Sequence, residues 1–415
     1  MMNRQGLNVF SLWIILAIGA APASAINVVL DYTYDTSNFF GSGNPGGLTS
    51  GLQAKAALES AAGFFTSVLD DTFSSIQTPP QFHSSQFDGQ VTWEWKMNFD
   101  DPSTGGPLEI IDPSVAADDY IVYAGARSLS GSTAGIGGPG GFGWSSNPTG
   151  GFTQGEIDQL DAITAQFEID VEDRGEPSNT FSSWGGVIAF DNDGSTTWHY
   201  NHTTQPSGNV VDFFSIAVHE LGHALGFGTA SEFQELIDVS DSSFFGENAR
   251  ALNGGVNVPL ANAGHWANDT MSVVYGTSTA QEVAMDPDIL NGTRKRFTEL
   301  DAAALKDIGW EVIPIIMPGN NGDYNGNGFV DAADYVVWRN TQGQNVTPGS
   351  GADGNGNGNV GGEDYEHWRS RFGNSAASGS RLLLAGGSAV PEPGGFLLAV
   401  IAGIVATYAR SWRSG

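Results

Sequence analysis

Alternating apolar and polar positions mark the strands of the chain. Residues 26–35, 90–99 and 119–129 alternate in this way and are rich in β-branched and aromatic side chains, which is typical of strands. Residues 185–194 predict a further strand that ends in a turn. The glycine-rich stretch 130–152 is expected to be a long loop.

Apolar residues at helical spacing predict helices over 51–76, 211–226 and 296–312. In the last of these, Thr298 and Asp301 have the spacing of a capping box, in which each side chain accepts a hydrogen bond from the other residue's backbone. Strands followed by helices, with long loops between them, predict an α+β or α/β domain.

The two ends of the chain and an internal repeat predict further segments beside this domain. Arg4, the apolar run 9–20 and Ala23-Ser24-Ala25 form a secretory signal peptide. A repeat with an offset of 30 residues begins at Asp323 and again at Asp353. The predicted segments are a signal peptide (1–25), a large α+β or α/β domain (26–314), a linker (315–321), a small repeat domain (322–374), a second linker (375–389) and a C-terminal tail (390–415).

Composition excludes several functions. The chain has 16 Lys and Arg against 46 Asp and Glu, which gives a net charge of −30, so no basic surface is available for nucleic acid. Most of these carboxylates are expected to form a solvated acidic surface. The absence of cysteine excludes disulfides, thiolate zinc sites and a cysteine nucleophile.

The helix predicted over 211–226 contains the sequence HELGH. Because residues four apart lie on one helix face, His219 and His223 can direct imidazole nitrogens at one metal ion. Glu220, beside them, can take a proton from a water molecule that the metal activates and pass it to a leaving amine. The alternative is a buried amphipathic helix with two hydrogen-bonded histidines. Gly226 is expected to end the helix three residues later.

The stretch HELGHALGF resembles the metzincin metallopeptidases. The standard metzincin pattern implies a third ligand at Thr229, whose hydroxyl is a poor zinc ligand. The sequences GHW at 264–266, VAMDP at 283–287 and LKDIGW at 305–310 follow in the order found in the leishmanolysin-like family. This resemblance implies His265 as the third zinc ligand, Met285 as the residue beneath the zinc, and a twisted mixed sheet packed on the active-site helix. The segment between His265 and Met285 is longer than in that family, and the family's disulfides are absent.

Other residues compete for the third-ligand position. Glu247 has a spacing near that of the thermolysin-like glutamate, although turn-forming residues surround it. Asp241, His199 and His202 are further candidates. Alternatively, His265 is a surface histidine packed by its neighbouring tryptophan, and Met285 is ordinary core.

Two further features of the catalytic domain remain open. By resemblance, metzincins pair an extended substrate with an edge strand that precedes the active-site helix, and residues 185–190 are the candidate here. Residues 191–194, which read Asp-Asn-Asp-Gly, either hold a structural calcium ion or form a plain turn.

The repeat at 323 and 353 has the pattern of EF-hand calcium loops, each followed by a short helix. It resembles a dockerin module, which implies a small all-α domain, two calcium ions and a cohesin-like partner. The alternative is an unstructured linker rich in Gly and Asn. The candidate calcium ligands are Asp323, Asn325, Asn327, Asp331 and Asp334 in the first loop, and Asp353, Asn355, Asn357 and Asp364 in the second.

The tail combines Pro391-Glu392-Pro393, a short apolar stretch and terminal arginines. It resembles a PEP-CTERM sorting signal, which implies a bacterial protein exported to the envelope or beyond it, with transient membrane contact through the tail. A retained membrane anchor is the alternative.

The sequence therefore supports two hypotheses of different kinds. The first is a secreted zinc endopeptidase with one catalytic zinc ion and a protein or peptide substrate. The second is a non-catalytic extracellular scaffold or adhesion protein that docks through the repeat domain.

Overall fold

The computed structural model describes residues 26–277, 279–313, 322–325, 329–346, 351–354 and 359–374. These residues form two units, one over 26–313 and one over 322–374. The signal peptide, both linkers and the sorting tail that the sequence predicts lie outside the described residues.

The first unit is a mixture of helices and strands. Its helices are α1 (Leu48–Val68), α2 (Gln154–Glu172), α3 (Phe213–Ala224), α4 (Ser231–Gln234), α5 (Glu247–Leu252) and α6 (Glu299–Asp307). Its strands are β1 (Asn27–Asp31), β2 (Phe82–His83), β3 (Gln90–Asp100), β4 (Pro107–Ile111), β5 (Asp119–Arg127), β6 (Gly135–Pro139), β7 (Gly141–Thr149), β8 (Gly185–Asp191), β9 (Trp198–His199), β10 (Val211–Asp212), β11 (Ile237–Asp238), β12 (Ser243–Phe244), β13 (Val258–Asn262), β14 (His265–Trp266), β15 (Met271–Val273) and β16 (Ala280–Glu282).

The central sheet has the order β1-β5-β8-β6. β1, β5 and β8 are parallel, and β6 runs antiparallel to β8. Most residues of β5 and β8 are buried, as expected for strands covered on both faces. Helices α1 and α3 pack against each other, and α3 also lies against β6 and β8. The helix that carries the HELGH motif therefore packs directly on this sheet.

A second sheet is built around the long strand β3. Strands β2 and β4 pair with its two ends, and β7 pairs with it from Gln90 to Asn98. Alternate residues of β3 are buried, which agrees with the alternation in the sequence. Trp95 and Trp184 are fully buried in the core that this sheet shares with α2.

The sequence predicted four of these strands and three of these helices, and the other elements of the first unit were not predicted. The strands predicted at 26–35, 90–99, 119–129 and 185–194 appear as β1, β3, β5 and β8, and the three predicted helices appear as α1, α3 and α6. The loop predicted over 130–152 is wrong, because β6 and β7 lie within it. Glycine supplies no side-chain alternation, so pairing with β8 and β3 alone defines these strands. Helix α2, which begins with a Thr153–Glu156 capping box, was not predicted.

The second unit is small and helical. It contains α7 (Ala332–Thr341) and α8 (Gly362–Arg371), one in each half of the repeat. Equivalent residues are buried in both halves, including Val330 and Val360 and the two tryptophans. Their indoles bond reciprocally: Trp338 donates to the Gly361 carbonyl, and Trp368 donates to the Asp331 carbonyl. The repeat therefore folds as an internally symmetric pair of helices.

Within the described parts of the chain, none of the helices combines the length and apolarity needed to cross a bilayer.

Candidate metal centre

Three histidines from separate parts of the sequence meet beneath one cleft. The Nε2 atom of His219 lies 3.0 Å from that of His223 and 3.2 Å from that of His265, and the last two atoms are 3.2 Å apart. Tetrahedral zinc with Zn–N bonds of about 2.0–2.1 Å requires its nitrogens to lie about 3.3 Å apart. The triangle is therefore close to the size that one zinc ion needs.

The hydrogen bonds of these rings determine where their lone pairs point. Each Nδ1 atom faces an oxygen acceptor: the Ala284 carbonyl for His219, the Phe227 carbonyl for His223, and the Asn262 side-chain oxygen for His265, at 2.8, 2.8 and 2.9 Å. Each Nδ1 therefore carries the proton, which leaves a lone pair on each Nε2. Three converging lone pairs repel one another unless a cation lies between them, so the donor set fits a bound metal.

Burial favours the neutral form of all three rings. It holds the pKa of His219 well below the usual value, lowers the pKa of His223 to about 4, and also lowers the pKa of His265. Neutral imidazole is the form that binds a metal ion. Among the described residues, these histidines form the only group of three His, Cys, Asp or Glu residues whose ligand atoms lie within 4.8 Å of one another.

Helix α3 positions the first two histidines. The Asp212 side chain caps its first turn by accepting hydrogen bonds from the Ser215 amide and hydroxyl. The Arg294 guanidinium binds both oxygens of Asp212, at 2.7 and 2.9 Å, and both side chains are buried. This charged pair fixes the start of the helix, and the four-residue spacing then places His219 and His223 on the same face.

A turn after α3 leads the chain away from His219 and His223. Gly226 adopts φ +95°, a conformation that glycine tolerates and branched residues do not. The Thr229 hydroxyl donates to the His223 carbonyl at 2.7 Å, so it braces the helix end and is not part of the histidine group. Gly226 therefore turns the chain as the sequence predicts.

The third histidine returns on a short strand that touches this turn. A Cβ atom on Gly228 would lie 2.4 Å from the Gly264 carbonyl oxygen, so the two backbones are in direct contact. The Gln234 side chain donates to the carbonyls of Gly228 and Ala263 at 2.7 and 3.1 Å and joins the two segments. β14, which begins at His265, also pairs with β13.

Met285 lies directly beneath helix α3. It is fully buried, and a Cβ atom on Gly222 would come within 2.6 Å of its sulfur. Gly222 lies between the two helical histidines, so the absence of a side chain there allows Met285 to reach the floor of the centre. The Trp266 amide donates to the Met285 carbonyl at 3.0 Å, which connects this turn to the strand of His265.

A buried carboxylate joins the supports of two histidines. Asp301 accepts hydrogen bonds from the Trp266 indole and the Met285 amide on one oxygen, at 3.0 and 3.3 Å. Its other oxygen accepts bonds from the Ala284 amide and from the amide and hydroxyl of Thr298, at 2.7–2.9 Å. The sequence predicted only the capping box with Thr298; the bonds to Ala284, Met285 and Trp266 come from remote segments.

Glu220 faces the cleft from the same helix. It is 5 % exposed, and within the described residues no donor is bonded to its carboxylate. Burial raises its pKa to about 8, whereas a nearby divalent cation acts in the opposite direction. The carboxylate is therefore available to exchange a proton with a molecule in the cleft.

The cleft has a volume of about 860 Å³ and is bordered by β6. A Cβ atom on Gly137 would lie 2.3 Å from the Glu220 carbonyl oxygen, so this glycine strand contacts helix α3 directly. The edge strand expected at 185–190 is wrong: that segment is β8, which lies inside the sheet between β5 and β6. The edge position is occupied by β6, which pairs antiparallel with β8.

The other candidate ligands lie outside the histidine group. Glu247 is exposed at the start of α5, and Asp241 is an exposed residue that accepts a hydrogen bond from the Ser243 hydroxyl. The His199 ring bonds the Thr204 carbonyl, and the His202 ring stacks on Phe214. The buried Asp191 accepts bonds from the Leu129 amide and from the Ser195 and Thr196 hydroxyls, which is the behaviour of a structural turn.

The predicted calcium ligands are described only in part. Asp323, Asp334, Asp353 and Asp364 are buried, whereas Asp331 caps α7 by accepting a bond from the Ala333 amide. Asp334 accepts bonds from the Asn325 and Asp331 amides, and Asp364 accepts one from the Gly361 amide. Asn327, Asn355 and Asn357 lie outside the described residues.

A buried lysine fixes the segment that follows Met285. The Lys295 ammonium contacts both oxygens of Asp286 at 2.6 Å, Glu282 at 2.8 Å and the Asp288 carbonyl at 2.8 Å. Asp286 and Asp288 line the cleft. Sequence reasoning missed this cluster because a lysine and an aspartate nine residues apart give no periodic signal.

Comparisons with protein-family models, with curated proteins and with solved structures find no match to this chain.

Proposed function

We propose that the first unit is a zinc-dependent endopeptidase of the metzincin type. The observation that carries this proposal is the convergence of three neutral imidazole nitrogens beside an unbonded carboxylate in an open cleft. Two features of the fold support the leishmanolysin-like resemblance of the sequence. A mixed sheet with one antiparallel edge strand lies against helix α3, and a methionine lies beneath that helix.

His219, His223 and His265 hold the metal in this proposal. When bound there, zinc polarises a carbonyl group and increases the acidity of water. Glu220 removes a proton as water oxygen attacks the peptide carbonyl carbon, and it delivers that proton to the amide nitrogen as the C–N bond breaks. The products are one carboxylate and one amine.

The edge strand β6 holds the substrate in an extended form. Its glycine residues leave the backbone accessible, and the N–H and C=O groups on its outer edge can pair with a peptide. Such pairing is independent of the substrate's side chains, because it uses only the main chain. It places the peptide beside Glu220, which β6 contacts.

The decisive variant is Glu220→Gln, which keeps the size of the side chain and removes the general base. Purified wild-type protein is expected to contain one zinc ion per chain and to cleave casein. The variant is expected to retain zinc and to lose activity by about 10²-fold or more. Cleavage by the variant at the wild-type rate would refute the proposal.

Metal analysis separates the third ligand from its nearest sequence rival. His265→Ala is expected to lose zinc, whereas Glu247→Ala is expected to keep it, because only His265 completes the histidine group. Loss of zinc from the glutamate variant alone would contradict the site.

For the second unit we propose a calcium-binding, dockerin-like role. The support is the burial of equivalent aspartates, Asp334 and Asp364, beneath reciprocal tryptophan contacts. Removal of calcium by a chelator is expected to unfold the pair of helices, which near-ultraviolet circular dichroism of the tryptophans would detect. An unchanged spectrum would favour a purely structural repeat.

The signal-peptide and sorting-tail patterns at the chain's two ends support the proposal that the protein is exported to the cell envelope or beyond it.

A further inference from the structure

A second cavity, separate from the cleft, lies on the opposite side of the metal-binding helix from β6. Its volume is about 360 Å³, at the lower end of the range of about 300–1,000 Å³ found for small-molecule sites. It is lined by Ser60 and Phe64 from α1, by Phe214 and Val218 from α3, and by the chain segments around Tyr275 and Phe297. No residue of this cavity belongs to the histidine group.

The floor of the cavity is apolar and well packed. Val218, Val274, Tyr275 and Phe297 are each less than a tenth exposed. The Phe64 ring lies 6.0 Å from that of Phe297 and 6.1 Å from that of Tyr275, both at edge-to-face angles. These walls favour a flexible hydrocarbon or aromatic group.

Two arginines, Arg294 and Arg296, lie at the rim of the cavity. The Arg294 guanidinium is neutralised by Asp212, but the exposed Arg296 guanidinium has neither a hydrogen bond nor an ion pair with any residue that the structure describes. Gln281 fixes the backbone of Arg296 on both sides: it accepts a bond from the Arg296 amide at 3.1 Å and donates to its carbonyl at 2.7 Å. In a chain with 46 acidic residues, a positioned arginine without a carboxylate partner is suited to an external anion.

Two carboxylates neighbour the rim, and both already have donors. Asp212 is held by Arg294, and Glu299 accepts a bond from the Gly276 amide at 2.9 Å. The Gly276 amide does not neutralise Glu299, but among the described residues neither carboxylate forms an ion pair with Arg296, so the Arg296 guanidinium can still bind an anion. We propose that this cavity binds a small anionic amphiphile, such as a medium-chain carboxylate, with the tail against Phe297 and Val218 and the carboxylate at Arg296.

The cavity adjoins the helix that carries His219 and His223. Val218 precedes His219 on α3, and a Cβ atom on Gly222 would lie 3.6 Å from Phe297 Cε2. The proposal goes beyond the peptidase function and does not depend on it, because binding is measured without activity.

The test is calorimetric titration of the full-length protein with decanoate below its micelle concentration. One saturable site per chain is expected. Two ligands with the same tail serve as controls: decanol is expected to bind on the order of ten-fold more weakly, since it lacks the charge, and decyltrimethylammonium is expected to bind more weakly still.

Two variants address the site by different routes. Arg296→Gln removes the charge and is expected to weaken decanoate binding on the order of ten-fold while leaving decanol binding unchanged. Ser60→Trp fills the exposed rim from α1 and is expected to weaken both. Arg250→Gln changes an exposed arginine on α5, outside the cavity, and is the matched control.

The proposal is overturned if wild-type protein shows no saturable decanoate binding. It is equally overturned if decanol binds as tightly as decanoate, or if Arg296→Gln and Arg250→Gln give the same affinity. Both tested positions are exposed and have no side-chain bond within the described residues, so folding of the variants, checked by circular dichroism, is expected to be unaffected.

Discussion

Asp301→Asn changes one atom in the hydrogen-bond network that supports His219 and His265, two members of the proposed zinc site. The side chain keeps its shape, but an NH₂ group replaces one of the two acceptor oxygens. If the NH₂ group replaces Oδ1, the Trp266 indole and the Met285 amide lose their acceptor. If it replaces Oδ2, the Ala284 amide and the amide and hydroxyl of Thr298 lose theirs. In either orientation at least two buried donors are left unsatisfied.

The expected loss of stability follows from this count. Each unsatisfied buried donor costs about 1–3 kcal/mol, so two donors cost about 2–6 kcal/mol. Burial raises the pKa of Asp301, and the neutral amide avoids that cost of burying a charge. The free energy of unfolding is therefore expected to fall by less than that sum, about 1–4 kcal/mol.

The same change is expected to weaken zinc binding by about 10–100-fold, the usual effect of disturbing the residues that orient metal ligands. The Ala284 carbonyl holds the His219 ring, and Trp266 adjoins His265, so two of the three ligands lose their orientation. Urea unfolding gives the stability, and competition with a chromophoric chelator, under conditions where the variant is folded, gives the zinc affinity.

Asp307→Asn is the matched control. Asp307 lies on the same helix and accepts three bonds that cap α5, two from Asn248 and one from the Ala249 amide. Its replacement is expected to reduce stability and to leave zinc affinity unchanged. If both variants weaken zinc binding equally, or if neither does, Asp301 has no specific role in orienting the ligands.

Two further predictions concern other buried contacts. Gly222→Ala is expected to destabilise the protein by about 1–2 kcal/mol, because its Cβ atom would press on Met285. Gly63→Ala, on the exposed face of α1, is expected to stabilise the protein by up to about 1 kcal/mol. Thermal unfolding that gives both changes the same sign would contradict this reasoning. Burial raises the pKa of Asp71 to about 7, above the ordinary value near 3.9, so wild-type stability is expected to fall as pH rises through this interval. Asp71→Asn is therefore expected to stabilise the protein by about 1–3 kcal/mol more at pH 8 than at pH 4, and an equal effect at both pH values would refute the assignment.

The sequence predicted the elements that have strong local patterns. The eleven-residue strand β3 alternates regularly, and α3 is a nearly continuous apolar helix with a capping aspartate. Glycine-rich β6 carried no such signal, so only its pairing with β8 and its contact with α3 identify it as the edge of the sheet.

The spacing of HELGH alone determined that two imidazoles share one helix face. The order of the later motifs indicated His265, but their convergence depends on contacts that no local pattern contains. Gly228 against Gly264, Gln234 between two loops and Asp301 beneath three segments are tertiary contacts between residues distant in the sequence. Sequence periodicity records which face of an element is apolar; which distant elements satisfy a buried donor or fill a gap is decided only when the chain packs.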